Sequence, residues 1–280
     1  MVVSKRLSTF QPGRPRALSR RAKPRLERSS EGHTAPRHPR AASTPAGRIW
    51  LYGLHAVAAA MANQDRPCYR LLATEAALAG VEAQARARQL SVEKVPPERL
   101  GQILPPDAPH QGLALNVGPL PERDPAELGR DDRSLLLALD QVSDPRNLGA
   151  ILRTAAALGV EGVLLPQRRS AELNGACAKA ASGALDLVPV VEVVNLGRTL
   201  ADLKQRGYWI VGLDAAGAAP LETLDLPPRV VLVLGSEGEG LRRLVAEQCD
   251  HLCRLEIDPR MESLNVSVAA GIALYVLAKR

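Results

Sequence analysis

The sequence predicts an α/β protein whose larger part is a parallel β-sheet with helices on both faces. Two observations support this: short runs that are apolar on both faces recur in the second half of the chain, and helix-forming segments separate most of them. The predicted strands cover 135–139, 162–165, 187–194, 209–213 and 230–234, and the predicted helices cover 148–158, 171–181, 196–206 and 241–248. Ligands of such sheets bind at the carboxyl ends of the strands, so the chemistry is expected in the loops that follow them.

A smaller α/β unit is predicted ahead of this sheet, over residues 48–120. Its strand-like runs at 49–52, 70–74, 91–95 and 112–117 alternate with helical segments at 55–62, 76–89 and 98–103. Pro119, Pro121 and Pro125 then stand among charged residues. They predict a linker over residues 121–131, which leaves residues 132–280 for the second domain.

The basic charge of the chain is concentrated at its N-terminus. Residues 1–47 are rich in Pro, Arg, Ser and Ala without a hydrophobic period, which predicts a disordered basic extension. Of the 36 Lys and Arg residues, 12 lie within residues 1–48, beside only two acidic residues. The extension either attracts RNA phosphates or serves only as a solubilising arm. Its prolines argue against an amphipathic targeting helix, and a cytoplasmic protein is expected.

Composition excludes several classes of function. Aromatic residues make up only 2% of the chain, which argues against RNA recognition by rows of stacking rings. The four cysteines show no zinc-binding spacing, so no metal is expected. The most apolar stretch, residues 266–278, is shorter than the roughly 20 residues that a membrane span needs, so no membrane association is expected either.

The first of three informative loops follows the strand predicted at 135–139. It reads Asp-Gln-Val-Ser-Asp-Pro-Arg-Asn-Leu-Gly over residues 140–149. Asn147 stands at a plausible helix N-cap. Arg146 and Arg153 are seven residues apart, two helical turns along one face. Both arginines could face an anionic partner, and the alternative is that Asn147 only caps the helix and Arg153 only decorates it.

The second loop, residues 234–241, reads Leu-Gly-Ser-Glu-Gly-Glu-Gly-Leu. Its glycine spacing differs from that of dinucleotide-binding loops, and no lysine follows as in a P-loop, which disfavours a dinucleotide oxidoreductase. Glu237 and Glu239 would repel a phosphate. The loop therefore suits a ligand with a positive centre, such as the sulfonium of S-adenosylmethionine, or it is a tight turn with solvent-facing acids.

The third loop, residues 255–269, leads into the apolar C-terminal segment. Ser263 and Asn265 stand at the mouth of the helix predicted there. Ser263 fits an N-cap position well, so a purely structural role is the alternative to a functional one.

Taken together, the three loops closely resemble the three motifs of the SpoU (TrmH-like) branch of the SPOUT RNA methyltransferases. The matching motifs are Pro-Arg-Asn-Leu-Gly with an Arg six residues after the Asn, Gly-Ser-Glu-Gly-x-Gly, and Ser-Leu-Asn-Val-Ser-Val-Ala. The resemblance covers residues 135–279. It implies methylation of a ribose 2′-hydroxyl with S-adenosylmethionine as donor, a sheet whose C-terminal segment forms a trefoil knot, and a homodimer packed through residues 264–278.

The same resemblance assigns roles to individual residues. It implies catalytic roles for Arg153, Asn147, Glu237, Ser263 and Asn265, and cofactor contacts from Gly235, Gly240, Leu255, Ile257 and Leu264. Leu255-Glu256 stands where family members commonly have Ile-Pro, and Pro259 stands where many have Gly. These departures bear on the path of the loop more than on the activity.

The smaller unit also shows a resemblance. The run 51–57 and the triplet His110-Gln111-Gly112 look like the opening and closing signatures of the substrate-binding domain, which has a ribosomal protein L30e-like fold, in the 23S rRNA guanosine-2′-O-methyltransferases of this branch. The expected partner is therefore 23S rRNA. The alternatives are a tRNA ribose 2′-O-methyltransferase, an enzyme acting at an antibiotic-resistance site of rRNA, and a non-catalytic RNA-binding assembly factor on the same fold.

Overall fold

The computed structural model describes residues 47–129 and 131–280 of the chain. The predicted disordered extension lies outside these residues, apart from Gly47. Within the described residues, no helix has the length and apolar character needed to cross a membrane.

The first part of the described chain is a four-stranded α/β unit, called the front unit below. Its elements are β1 (Ile49–Tyr52), α1 (Leu54–Ala62), β2 (Cys68–Ala73), α2 (Glu75–Leu78), α3 (Glu82–Ala87), β3 (Ser91–Lys94), α4 (Pro97–Gly101) and β4 (Leu113–Val117). The strand order is β1-β4-β2-β3. Strand β4 pairs antiparallel with β1 and β2, whereas β2 and β3 are parallel.

The prediction of a single helix over residues 76–89 is wrong, because two short helices, α2 and α3, occupy this segment. The backbone N–H of Gly80 bonds to the carbonyl of Ala77, and the N–H of Val81 bonds to that of Leu78, so the chain tightens into a turn between them. Glycine weakens a helix at such a point. The turn lets both Leu78 and Val81 face the core.

The second part, called the main unit, contains a seven-stranded sheet. Its elements are β5 (Ser134–Leu139), α5 (Pro145–Ala157), β6 (Gly162–Pro166), α6 (Gly175–Ala181), β7 (Val190–Val193), α7 (Leu196–Gln205), β8 (Trp209–Leu213), β9 (Ala219–Pro220), β10 (Arg229–Leu234), α8 (Arg243–Ala246), β11 (His251–Arg254) and α9 (Val266–Ala278). The strand order is β7-β6-β5-β10-β8-β11-β9, and every pair is parallel. The predicted parallel sheet is confirmed.

Helices cover both faces of this sheet. In β5, Leu137 and Leu139 belong to the apolar cluster that includes residues of α5, α6 and α9, while Leu136 and Ala138 belong to the cluster under α7 and α8. Alternate residues of a strand point to opposite faces, so an all-apolar strand is what burial on both sides requires. The trefoil knot stays a prediction from the resemblance.

Three details of the predicted pattern are different in the structure. Strands β9 and β11 were not predicted, because one has two residues and the other is bounded by His251 and Arg254. The strand predicted at 187–194 covers only Val190–Val193, since a 3₁₀ turn at Ala184–Asp186 precedes it and Leu187 is exposed. The helix predicted from residue 171 begins at Gly175, capped by Asn174.

Candidate active site

A cavity of about 1070 Å³ lies where strands β8, β10 and β11 end. Its wall is built from the segments that follow these strands and from the start of α9. The lining segments are residues 213–215, 234–240, 254–257 and 261–266, together with Ala269. All five predicted cofactor-binding residues lie in this wall: Gly235, Gly240, Leu255, Ile257 and Leu264.

The wall of the cavity is acidic. Among the described residues, five carboxylate side chains line it against one guanidinium, that of Arg254; the acids are Asp214, Glu237, Glu239, Glu256 and Glu262. A cleft lined by one sign of charge concentrates ligands of the opposite sign. The cavity therefore favours a ligand with a positive centre and disfavours a nucleotide polyphosphate.

Three predicted catalytic residues meet at the rim of the cavity, one from each loop. Oε1 of Glu237 accepts hydrogen bonds from Nδ2 of Asn147 at 3.0 Å and from Nδ2 of Asn265 at 2.8 Å. Nδ2 of Asn265 also lies 3.1 Å from Oδ1 of Asn147. Residues 118 positions apart in the chain are thus joined by one side-chain network.

The network also caps helix α9. Oε1 of Glu237 lies 3.3 Å from the backbone N of Val266, and Oδ1 of Asn265 accepts from the backbone N of Ser267 at 2.9 Å. A carboxylate is favoured at a helix N-terminus, where the free N–H groups and the helix dipole are positive. The N-cap of α9 is therefore Asn265, and the N-cap interpretation of Ser263 is wrong. Ser263 is exposed and lines the cavity.

Asn147 likewise does not cap its own helix. The N-cap of α5 is Asp144, whose Oδ1 accepts from the backbone N of Arg146 at 2.8 Å, and Pro145 occupies the first helical position. Proline is favoured there because its missing N–H would be unsatisfied anyway. With Asp144 as the cap, the side chain of Asn147 is free to reach Glu237.

The glycine-rich segment folds back on itself. The backbone N–H groups of Ser236 and Gly240 each donate to the other residue's carbonyl at 3.1 Å. A Cβ at Gly235 would overlap the backbone of Gly240, and Gly240 has a φ of +68°, in the left-handed region. Glycine is required at both positions, one for close approach and one for conformation.

A buried carboxylate that none of the sequence motifs singles out supports this segment. Asp140 follows β5 and is fully buried. Its oxygens accept from the backbone N of Arg242 at 2.9 Å and from Nε of the same residue at 2.7 Å. A charged hydrogen bond of this kind is strong in a buried setting. The only signal in the sequence was an acid directly after a fully apolar strand.

Arg153 forms no hydrogen bond with the other predicted catalytic residues. It is exposed on α5, does not line the cavity, and forms no hydrogen bond or ion pair with the residues that the structure describes. Arg146, on the first turn of the same helix, is also exposed. Burial raises the pKa of Tyr52 in the front unit, and the charge of Arg146 opposes that rise. Arg146 is therefore close enough to the front unit to affect it.

In the described part of the chain, neither the cysteines nor the other potential metal ligands form a site of their own. Burial raises the pKa of Cys177 and Cys249 to about 12 and that of Cys253 to about 11, so these thiols are protonated at neutral pH. Across residues 47–129 and 131–280, no group of three or more His, Cys, Asp and Glu side chains is arranged to hold a metal ion.

Both units of the chain match known protein families. Residues 134–275 match the SpoU rRNA methylase family, and residues 50–123 match the RNA 2′-O ribose methyltransferase substrate-binding family. A 23S rRNA (guanosine-2′-O-)-methyltransferase RlmB of Xanthomonas campestris pv. campestris is 41% identical over 81% of this chain and 94% of its own length.

Solved structures agree with the fold. An S-adenosylmethionine-bound rRNA methyltransferase from Sinorhizobium meliloti is 25% identical, has a TM-score of 0.72, and is matched over 83% of this chain and 87% of its own. The SpoU methyltransferase AviRb from Streptomyces viridochromogenes is 21% identical with a TM-score of 0.74, over 84% and 90%. The chain therefore belongs to the SpoU rRNA methylase family and is a methyltransferase.

Proposed function

We propose that this protein transfers a methyl group from S-adenosylmethionine to the ribose 2′-hydroxyl of a guanosine in 23S rRNA. The observation that carries the proposal is the network of Asn147, Glu237 and Asn265 at the rim of an acid-lined cavity. The name of the Xanthomonas relative, which aligns over both units, supports the choice of substrate.

The chemistry of the cavity fits S-adenosylmethionine. When bound, this cofactor would supply a methyl group on a sulfonium: an oxygen nucleophile would bond to the methyl carbon as the carbon–sulfur bond breaks, and the neutral thioether would leave. The side chains of Leu255, Ile257 and Leu264 offer an apolar surface for the adenine, and the acidic wall suits the positive sulfonium and amino groups. Glycine at positions 235 and 240 permits the tight turn that places this segment's backbone in the cavity wall, where we expect it to contact the adenosine.

Arg153 is the proposed activator of the nucleophile. A ribose hydroxyl attacks poorly until it loses its proton. Arginine stays protonated in proteins, so Arg153 acts here as a fixed positive charge and not as a base. Its guanidinium holds the RNA phosphate next to the target ribose and favours the ionised hydroxyl, which eases release of the proton to water.

The other site residues orient the reactants. Glu237 accepts three hydrogen bonds, so both asparagine side chains are held in one orientation. Asn147 and Asn265 then present fixed polar groups to the target ribose and to the methionine end of the cofactor. Ser263 lies at the same wall and has its hydroxyl available to the substrate. Holding reactants in the attack geometry is itself a large part of catalysis.

A homodimer in the cytoplasm completes the proposal. On α9, Val268, Ile272 and Tyr275 are 50%, 44% and 57% exposed, and their spacing of four and three residues places them on one face of the helix. Exposed apolar stripes of this kind mark interaction surfaces. The occupant proposed for this stripe is α9 of a second copy.

The test is methyl transfer in vitro. The full chain is incubated with methyl-labelled S-adenosylmethionine in three separate reactions. One contains unmodified 23S rRNA, one contains 16S rRNA, and one contains total tRNA. Label in 23S rRNA alone supports the proposal. Label in tRNA alone would replace the proposed substrate, and absence of label from every RNA would favour a non-catalytic role.

A further inference from the structure

The front unit and the main unit share one hydrophobic core. A single cluster of buried side chains contains Leu51 and Met61 of the front unit together with Leu139, Ala178 and Leu185 of the main unit. The described residues accordingly belong to one compact unit. A large hydrophobic interface resists relative motion of the parts it joins.

A fully buried ion pair crosses this interface. Nη1 of Arg66, in the front unit, lies 2.8 Å from Oδ2 of Asp186 in the main unit, and both side chains are 1% exposed. Asn63 donates to Oδ1 of Asp186 at 3.2 Å, and Nε of Arg66 donates to the carbonyl of Gly118 at 3.4 Å. Removing one partner of such a pair leaves a buried charge without compensation, which is strongly unfavourable.

A second polar contact fixes the other end of the interface. Nζ of Lys179, on α6, donates to Oε1 of Gln111 at 2.6 Å, and the same oxygen accepts from the backbone N of Leu54 at 3.1 Å. Nearby, a Cβ at Gly175 would overlap the carbonyl oxygen of Trp50. The backbones of the two units are therefore in direct contact at this point.

The segment that connects the units is also held in place. Arg206 donates to the carbonyls of Pro125 at 3.0 Å and Leu128 at 2.7 Å, and Arg229 donates to the carbonyl of Gly129 at 2.9 Å. The side chain of Leu128 is buried in the core under α7. The segment predicted as a linker is thus hydrogen-bonded to the main unit at Pro125, Leu128 and Gly129.

We propose that Arg66 and Asp186 are positioning residues, which fix the front unit at one distance from the methyl-transfer site. The enzyme then accepts an RNA whose recognition element and target ribose match that distance. This inference rests on the proposed function, since it treats the front unit as the part that binds RNA. A fixed geometry saves the entropy of ordering two mobile parts around one substrate.

The test uses the full chain with the substitutions Asp186→Asn, Arg66→Met and the exchanged pair Arg66→Asp with Asp186→Arg. Lys204→Met is the matched control, because Lys204 forms a partly exposed ion pair with Asp250 inside the main unit. Solution X-ray scattering and amide hydrogen exchange at α1 and at residues 184–188 are measured without RNA. These two readouts do not depend on methylation, so they separate this inference from the proposed function.

We expect the scattering curve of the wild-type chain to be fitted with the described residues as one compact particle. Either single substitution at the pair should expand the particle and raise exchange at α1, while Lys204→Met should change neither. A wild-type curve that requires separated units, or exchange at α1 unchanged by the substitutions, would overturn the inference.

The kinetic result distinguishes positioning from simple destabilisation. We expect KM for 23S rRNA to rise about tenfold, with kcat per cofactor-binding site and cofactor Kd changed less than about twofold, and the exchanged pair to recover part of the loss. Equal losses in kcat and in cofactor binding would contradict positioning. If the pair variants fail to fold, Gln111→Leu and Lys179→Met test the same interface at a half-exposed contact and should raise the same KM.

Discussion

The side-chain amide of Asn265 donates a 2.8 Å hydrogen bond to the carboxylate of Glu237. This bond joins the glycine-rich segment after β10 to the N-terminus of α9, and Asn147 of α5 completes the connection. One carboxylate oxygen therefore orders three segments that are far apart in the chain. The oxygen also stabilises the first turn of α9 through the N–H of Val266.

Glu237→Ala removes the carboxylate that accepts hydrogen bonds from Asn147, Asn265 and the backbone N–H of Val266. We expect methylation to fall on the order of 10²-fold, because both asparagines lose their orientation. We also expect the free energy of unfolding to fall by about 1 kcal/mol, the value of a lost cap at a helix N-terminus. Rate assays and thermal melts check the two effects. Glu237→Gln keeps one acceptor oxygen and should lose less, and Glu192→Ala, an exposed carboxylate on β7, should match wild type.

Arg153→Ala should abolish methylation while leaving cofactor binding intact. The reason is that Arg153 is exposed on α5 and does not line the cavity, so its proposed partner is RNA and not the cofactor. Calorimetric titration with S-adenosylmethionine and a single-turnover assay measure the two properties separately. Arg198→Ala on α7 is the matched control. Near-normal turnover by Arg153→Ala would mean that this residue has no part in the chemistry.

Gly235→Ala should weaken cofactor binding by about tenfold or more, since a Cβ there overlaps the backbone of Gly240 and forces the turn open. The substitution leaves every charged group of the cavity in place. Gly101→Ala is a suitable control, because a Cβ at that position meets nothing within 4 Å. An unchanged cofactor Kd for Gly235→Ala would show that the segment binds something else.

Ile272→Asp should convert the proposed homodimer to a monomer. The side chain is 44% exposed in the middle of the apolar stripe of α9, and a buried unpaired carboxylate would be strongly unfavourable in an interface between two copies. Sedimentation velocity measures the change. Leu244→Asp places the same charge on an exposed apolar residue of α8 and should leave the assembly intact. A monomeric wild-type protein would refute the dimer directly.

The sheet of the main unit was predictable because its strands are buried on both faces. Leu136 through Leu139 have no polar residue among them, and such a run has few stable alternatives in a soluble protein. The candidate site was predictable as a set of loops at strand ends. The five residues predicted to bind the cofactor line one cavity, and their role there stays a prediction.

The errors at the candidate site concern helix caps that depend on distant partners. Ser263 and Asn265 are both good N-cap residues, and the choice between them follows from Glu237, which lies in another loop. Asp144 takes the cap of α5 for a similar reason, since Asn147 is bound elsewhere. Local propensity cannot decide between caps when a tertiary contact selects one.

The ion pair of Arg66 and Asp186 had no signal in the sequence at all. The two residues are 120 positions apart and belong to types that are normally exposed. Prolines in the connecting segment indicated a linker, although its backbone carbonyls are bound by Arg206 and Arg229. The composition of a segment indicates how stiff the segment is when free. It does not indicate which parts of the folded protein the segment contacts.

The proposed reaction is 2′-O-methylation of a guanosine in 23S rRNA. The most direct measurement is mass spectrometry of nucleosides from unmodified 23S rRNA after reaction with the full chain and S-adenosylmethionine. We expect 2′-O-methylguanosine at close to one per rRNA molecule with the wild-type protein, and none above background with Arg153→Ala. Base-methylated nucleosides, or 2′-O-methylation at a residue other than guanosine, would contradict it.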